Sequence, residues 1–343
     1  MINITQEEIM KNWQGDINAP MVSVSCITYN HETYIAQALD GFFMQKTNFP
    51  FEVIVHDDAS TDKTADIIRE YEKKYPNIIK PIYQTENQYS KRDGTIDRIM
   101  NEACKGKYIA LCEGDDYWID EDKLQMQVDF FENNSEYGMC YTKAKQLEQK
   151  TQKFYKKMLG EQISGFEDLL VNGDRIPTLT TMYSKYLLDK YQREINPSNK
   201  GWLMGDYPMW LYFSHESKVH FIDEVTAVYR VLENSASHSV DEKKELNFRK
   251  SIYQVRSYYS SKYDIDIEIY DEFKEYFYIL YRKNIKCYTN ITFKEMAIAY
   301  KQMKFKTIKE RLIYFFSMSK LSFKLFRFGV TLLGTKLSIL KRL

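Results

Sequence analysis

The chain has 343 residues, with 48 Lys and Arg against 48 Asp and Glu, and it carries 28 Tyr and 20 Phe. That length buries a full core and leaves room for a large domain with a smaller one, or for two. The aromatic content excludes a disordered chain. No run reaches the ~18 apolar residues needed to cross a bilayer. The polar, acidic arm Met1–Pro20 lacks a signal-peptide core, and the five cysteines form no CxxC pair and read as reduced core residues, so a cytoplasmic protein is expected.

After that arm, strands and helices alternate. Val22-Ser23-Val24-Ser25-Cys26-Ile27 reads as a strand, Tyr34–Met44 has helical spacing, and Phe51–Val55 is a second strand. Ser60 or Thr61 is expected to cap a helix that ends near Tyr75, before Pro76. Ile78–Tyr83 (strand), Thr95–Ala103 (helix) and Tyr108–Cys112 (strand) follow. Strands separated by helices of this length predict an α/β fold with a mostly parallel sheet and helices on both faces. There is no GxGxxG and no GxxxxGK[ST], so neither a dinucleotide fingerprint nor a P-loop is present. Further on, Met139–Thr142 reads as a strand, 143–157 as a polar loop or hairpin, Phe166–Val171 as a helix and Thr178–Ser184 as strand-like. Gly201–Ser214 is a loop entering a helix, and His220–Leu232 has β character. From Asp241 onward long amphipathic runs predict a helical C-terminal region, with the boundary near Ser239.

The strand at Tyr108–Cys112 runs into Glu113-Gly114-Asp115-Asp116-Tyr117-Trp118. In open α/β sheets ligands bind at the carboxyl ends of strands. Carboxylates this close repel one another unless a cation shares them, and hard oxygen donors suit Mg2+ or Mn2+. A solvated acidic turn ahead of the helix at Asp122–Phe131 accounts for the same residues, because early carboxylates favour a helix dipole.

Three other segments align with this one: Ser23–Asn30, His56-Asp57-Asp58-Ala59-Ser60-Thr61-Asp62, and Gly205-Asp206-Tyr207-Pro208-Met209-Trp210. Their order and spacing resemble those of the family-two glycosyltransferases, inverting enzymes with the Rossmann-like, A-type nucleotide-diphospho-sugar transferase fold. The resemblance implies a catalytic domain over 21–239, with a nucleotide-binding half (21–132) and an acceptor half (133–239), followed by the helical, basic region 240–343. It places Thr28, Tyr29 and Asn30 against the donor's nucleobase, with Glu32 bordering that site. Asp58 would accept the uracil ring N–H, as an acceptor-only carboxylate can; Ser60, Thr61 and Asp62 could serve the local turn instead, leaving Asp58 available. Asn87 and Arg92 would contact the donor, Arg92 through its diphosphate. In the acidic segment Glu113 and Gly114 would border the donor, and Asp115 would ligate a Mn2+ or Mg2+ ion that bridges the phosphates. Asp116 and His238 are further candidate ligands. Asp206 matches the family's catalytic carboxylate, the general base for the acceptor hydroxyl; an N-cap is its plain structural reading.

These expectations describe transfer of a sugar from a nucleotide-sugar, UDP-linked, to a polysaccharide or lipid-linked glycan of the cell envelope. A nucleotidyltransferase of related fold and an inactive nucleotide-sugar-binding protein are the alternatives. The first lacks its glycine-rich phosphate loop here, and the second does not account for Asp58, Asp115 and Asp206 together. From Asn284 onward ten Lys and three Arg face two Glu, a net charge of +11. Within it, 301–343 interleaves basic with apolar residues, which fits peripheral contact with an anionic membrane on its inner face. Nucleic acid is not an expected partner, because the preceding 283 residues are net acidic.

Overall fold

The computed structural model describes residues 2–232, 242–265, 274, 276–278, 280–281, 290–303 and 308–318. It divides into two units, Met1–Asp241 and Glu242–Leu343. His238, Ser239 and the segment 319–343 lie outside the described residues.

The first unit opens with the short helix α1 (Gln6–Met10), whose N-terminus Thr5 and Glu8 close as a capping box. The sheet begins with β1 (Val22–Thr28), β2 (Phe51–Asp57), β3 (Ile79–Tyr83) and β4 (Tyr108–Leu111). Helices α2 (Ile35–Phe43), α3 (Thr64–Lys74) and α4 (Thr95–Ala103) connect them. The strands pair in the order β3-β2-β1-β4, all parallel. β1 lies between two parallel neighbours and is buried along nearly its whole length, which explains its run of Val, Cys and Ile. The Ser23 hydroxyl stays satisfied there, donating to Glu52 Oε1 at 2.6 Å and accepting from the Gly106 N–H at 2.8 Å. Thr28 pairs with Asp57, so both strands deliver their loops to one edge.

The remainder of the sheet is mixed. β5 (Tyr117–Trp118), α5 (Lys123–Asn133), β6 (Tyr137–Glu148) and β7 (Lys153–Phe154) lead to α6 (Phe166–Asn172). β8 (Met182–Ser184), α7 (Lys185–Ile195), α8 (Asp206–Glu216) and β9 (Lys218–Val231) complete the unit. The sheet order continues β4-β8-β6-β9-β5, with β8 antiparallel to both of its neighbours and β6 parallel to β9. The fold is therefore an α/β, mostly parallel sheet of the expected type.

One local expectation is narrowed and two are corrected. In the polar stretch 143–157 the loop alternative gives way to the hairpin one: β6 runs as strand to Glu148, held by β9, and turns there into the β6–β7 hairpin. Neither Ser60 nor Thr61 caps α3, which starts at Thr64 behind Lys63, because both are used by the facing loop after β1. Thr178–Ser184 is a single 3-10 turn followed by a three-residue strand, after which Ser184 caps α7, a helix the sequence reading leaves out.

The second unit contains α9 (Glu242–Lys262), α10 (Asn290–Gln302) and α11 (Ile308–Phe316). Its core gathers Phe277, Leu280, Met296, Ala299 and Ile313, with Tyr300 stacked on Tyr314 at 4.1 Å. No helix of the described residues is long and apolar enough to cross a membrane.

Candidate active site

The site is built at the carboxyl ends of β1, β2 and β4. The loops after β1 and β2 are clasped together. The Asn30 N–H donates to Ser60 Oγ at 2.8 Å, while Asn30 Oδ1 accepts from the Thr61 N–H at 2.8 Å. The Glu32 N–H donates to Asp62 Oδ2 at 3.0 Å, and Glu32 Oε2 accepts from the Lys63 N–H at 2.9 Å. Asn30 sits at φ 55, a left-handed conformation that Asn tolerates. The side chains of Asn30 and Glu32 thus shape the rim of the site. Tyr29, 43% exposed, presents its ring beside them, whereas Thr28 is buried with its hydroxyl 3.1 Å from His31 Nδ1.

Asp58 is buried at the end of β2, and its carboxylate is bonded through both oxygens. Oδ1 accepts from the Gln88 N–H at 2.7 Å and Oδ2 from the Tyr89 N–H at 3.0 Å. The loop after β3 folds back over β2 and aims these two amides at the Asp58 carboxylate, one at each oxygen, so the carboxylate is held in place and keeps further acceptor capacity. Asn87 joins the same loop, donating to the Asp58 carbonyl at 3.3 Å and accepting from the Ser90 N–H at 2.9 Å. Arg92 closes it, exposed and at φ 52.

The acidic loop packs directly on β1. The Gly114 N–H donates to the Ile27 carbonyl at 3.0 Å, and a Cβ at Gly114 would stand 2.5 Å from Thr28 Oγ1. Only glycine fits this approach. Asp116 is buried and accepts from the Arg230 N–H at 2.7 Å. The Arg230 guanidinium donates to the Asp115 carbonyl and to Gln37 Oε1, and it lies 4.4 Å from the Tyr117 ring centroid and 5.1 Å from that of Tyr34. Burial, and after it the charges of Asp115 and Glu113, push the Asp116 carboxyl well above its ordinary range. Glu113 is pushed up to about 7 by burial, then by Asp115 and Asp206. Asp206 therefore shares the electrostatic environment of the acidic loop, although it is about ninety residues away in sequence.

Among the described residues no hydrogen-bond donor reaches the carboxylate of Asp115, and no group of three or more His, Cys, Asp or Glu side chains forms a metal cage. Asp116, a candidate ligand, is occupied by Arg230; His238 lies outside the described residues. A free carboxylate among Glu113, Asp116 and Asp206, with the Arg230 cation beside them, fits an ion whose remaining ligands come from a bound molecule. Asp206 is the first residue of α8, behind Gly205. Its Oδ2 accepts from the Thr178 hydroxyl at 2.8 Å and its Oδ1 from the Tyr207 N–H at 2.8 Å.

Sequence reasoning missed Arg230 and Gln37, and it did not join Thr178 to Asp206. Arg230 left one signal, a lone cation in the apolar end of β9, since a buried Arg needs partners.

Residues 23–191 match the family model described as Glycosyl transferase family 2. This part of the chain belongs to glycosyltransferase family 2. The family-2 domain is 45% identical to an uncharacterized protein of Mycobacterium tuberculosis over 123 residues, 35% of this chain and 34% of that protein. It is 33% identical over 128 residues to TuaG of Bacillus subtilis, named for teichuronic acid biosynthesis, with 37% of this chain and 46% of that protein covered. A poly(ribitol-phosphate) beta-glucosyltransferase of Bacillus spizizenii is 35% identical over 97 residues, 28% of this chain and 15% of that one. The chain thus matches less than half the length of each of these relatives. Among solved structures, S. aureus TarS 1-349 in complex with UDP-GlcNAc is similar in fold. The TM-score is 0.51 at 18% identity, covering 87% of this chain and 79% of that one.

Proposed function

We propose that the protein is an inverting glycosyltransferase that moves a sugar from a nucleoside-diphosphate sugar to a hydroxyl of a cell-envelope polysaccharide or lipid-linked glycan. The observation that carries this reading is a pair of carboxylates that both act on buried Glu113 in the family-2 domain: Asp115, which no donor among the described residues reaches, and Asp206, which accepts from Thr178. The names of TuaG and of the poly(ribitol-phosphate) glucosyltransferase favour an anionic envelope glycan as acceptor. UDP-GlcNAc, the ligand of TarS, is the first donor to test.

In this mechanism Asp206 takes the proton of the acceptor hydroxyl, within hydrogen-bond reach. The acceptor oxygen attacks the anomeric carbon as the bond to the diphosphate breaks, which inverts that centre without a covalent enzyme intermediate. Tyr29 offers the nucleobase a stacking face, and Arg92 reaches the diphosphate. Asp115 would hold a Mn2+ or Mg2+ ion, which when bound supplies Lewis-acid stabilisation of the departing diphosphate.

Thermal shifts with a panel of nucleotide sugars, in Mn2+ and in chelator, test the donor and the ion through mass action. Asp206→Asn is expected to abolish transfer with donor affinity nearly intact; wild-type turnover in that variant overturns the base assignment. Asp115→Ala is expected to erase the Mn2+-dependent part of the shift, and an unchanged shift removes the ion from Asp115.

A further inference from the structure

The second unit carries a surface of distinct chemistry on α11. On α11 the acidic residue is turned inward. Glu310 is buried, accepts a 2.5 Å hydrogen bond from the Tyr278 hydroxyl and lies 3.8 Å from Lys274. The outward arc is apolar and basic instead. Ile308, Leu312 and Phe315 are 76%, 47% and 63% exposed. At roughly 100° per residue they fall within about 60° of one another along the helix. Arg311 borders this crest on one side and Lys309 on the other, both exposed. A helix in water presents polar residues outward; this one presents a ridge of large apolar side chains between two cations.

We propose that this face of α11 seats on an anionic lipid bilayer. Ile308, Leu312 and Phe315 would enter the boundary between headgroups and acyl chains. Lys309 and Arg311 would lie along that boundary with their charges at the lipid phosphates. Charge complementarity selects this occupant over a second copy of the chain. A two-fold contact apposes the same patch on both copies, and this arc would then meet its own cations with no acid to pair them. The sequence after α11 holds to the same chemistry, with six basic and no acidic residues from Ser319 to Leu343.

The test is co-sedimentation of the full chain with vesicles of phosphatidylcholine alone and of phosphatidylcholine mixed with phosphatidylglycerol. Wild type is expected to pellet with the anionic vesicles, at least about tenfold more than with the neutral ones, and to release at high salt. The double variant Leu312→Glu/Phe315→Glu changes only exposed positions and is expected to keep the wild-type Tm. Its partitioning should fall at least about fivefold. Because 319–343 is intact in that variant, undiminished binding assigns the contact elsewhere and overturns the proposal. A wild-type dimer that the double variant converts to monomer, with neither form pelleting, also overturns it and assigns the ridge to a second copy. The vesicle assay needs no nucleotide, so its failure leaves the transferase reading standing, and loss of that reading leaves this one intact.

Discussion

Arg230 reaches Asp116 across 114 positions of sequence, its backbone N–H donating a 2.7 Å hydrogen bond to the buried carboxylate. Its guanidinium grips the carbonyl of Asp115, the residue alongside. One residue at the end of β9 therefore fixes the backbone of the acidic loop from two sides. Asp115 is left with its carboxylate free because Asp116 absorbs the structural bond.

This division of labour predicts opposite behaviour for three substitutions. Arg230→Met removes the cation beside a buried acid and should cost about 3 kcal/mol in urea unfolding. It should also weaken Mn2+-dependent donor binding, since the Asp115 backbone loses its anchor. Asp116→Asn keeps an acceptor for the Arg230 N–H and should stay within about 1 kcal/mol of wild type, with donor affinity retained. Asp115→Ala should do the reverse, sparing stability and losing the ion-dependent binding. If Asp116→Asn proves as damaging to binding as Asp115→Ala, Asp116 belongs with the ligands.

What the sequence made legible follows from how local each signal is. The parallel half of the sheet was readable because each strand carries its own apolar run and each crossover helix its own period. The acidic strand end was readable because Tyr108–Leu111 precedes it directly. The partners of Asn30, Glu32 and Asp58 were not, because each bond spans about thirty residues and depends on how two loops meet. Helix α7 was hidden for a related reason: Ser184 closes β8 and caps the helix at once, so strand and helix share a boundary residue.

Gly114→Ala tests the packing of the acidic loop on β1. The new methyl would lie 2.5 Å from Thr28 Oγ1 and 2.7 Å from Thr28 Cβ, so the loop or the strand end must move. Overpacking of this kind costs about 1–3 kcal/mol. The thermal midpoint should fall, and donor affinity should fall with it, because the displaced loop carries Asp115. An alanine variant with wild-type midpoint and affinity would mean that the loop has slack at this contact.

Thr178→Val addresses the orientation of Asp206. The hydroxyl that donates to Asp206 Oδ2 at 2.8 Å is replaced by a methyl of similar size. Loss of a hydrogen bond to a charged group is worth about 1.5–3 kcal/mol, so kcat should fall about tenfold or more while the donor dissociation constant is unchanged. Thr178→Ser, which restores the hydroxyl, should recover most of the rate. Equal losses in the valine and serine variants would trace the defect to packing rather than to the hydrogen bond.

Lys123 gives the fold a measurable dependence on pH. It is fully buried, donates to Gln127 Oε1 at 2.6 Å and lies 4.3 Å from the Trp118 ring centroid. Burial lowers its amine to about 8, against the opposing influence of Cys140, Cys112 and Asp120. Between that value and the ordinary lysine range near 10.5 the unfolded chain binds more protons than the folded one. Stability from this group therefore rises with pH across that window and is flat below it, where both states are charged. Lys123→Met removes the term. The difference in unfolding free energy between wild type and variant should shift toward wild type by up to about 3 kcal/mol from pH ~8 to ~10.5. Chemical denaturation at several pH values measures that difference directly, and because Tyr and Cys titrations are common to both proteins they cancel. A difference that stays constant across the window would mean that Lys123 keeps its proton inside the fold, held by Gln127 and the face of Trp118.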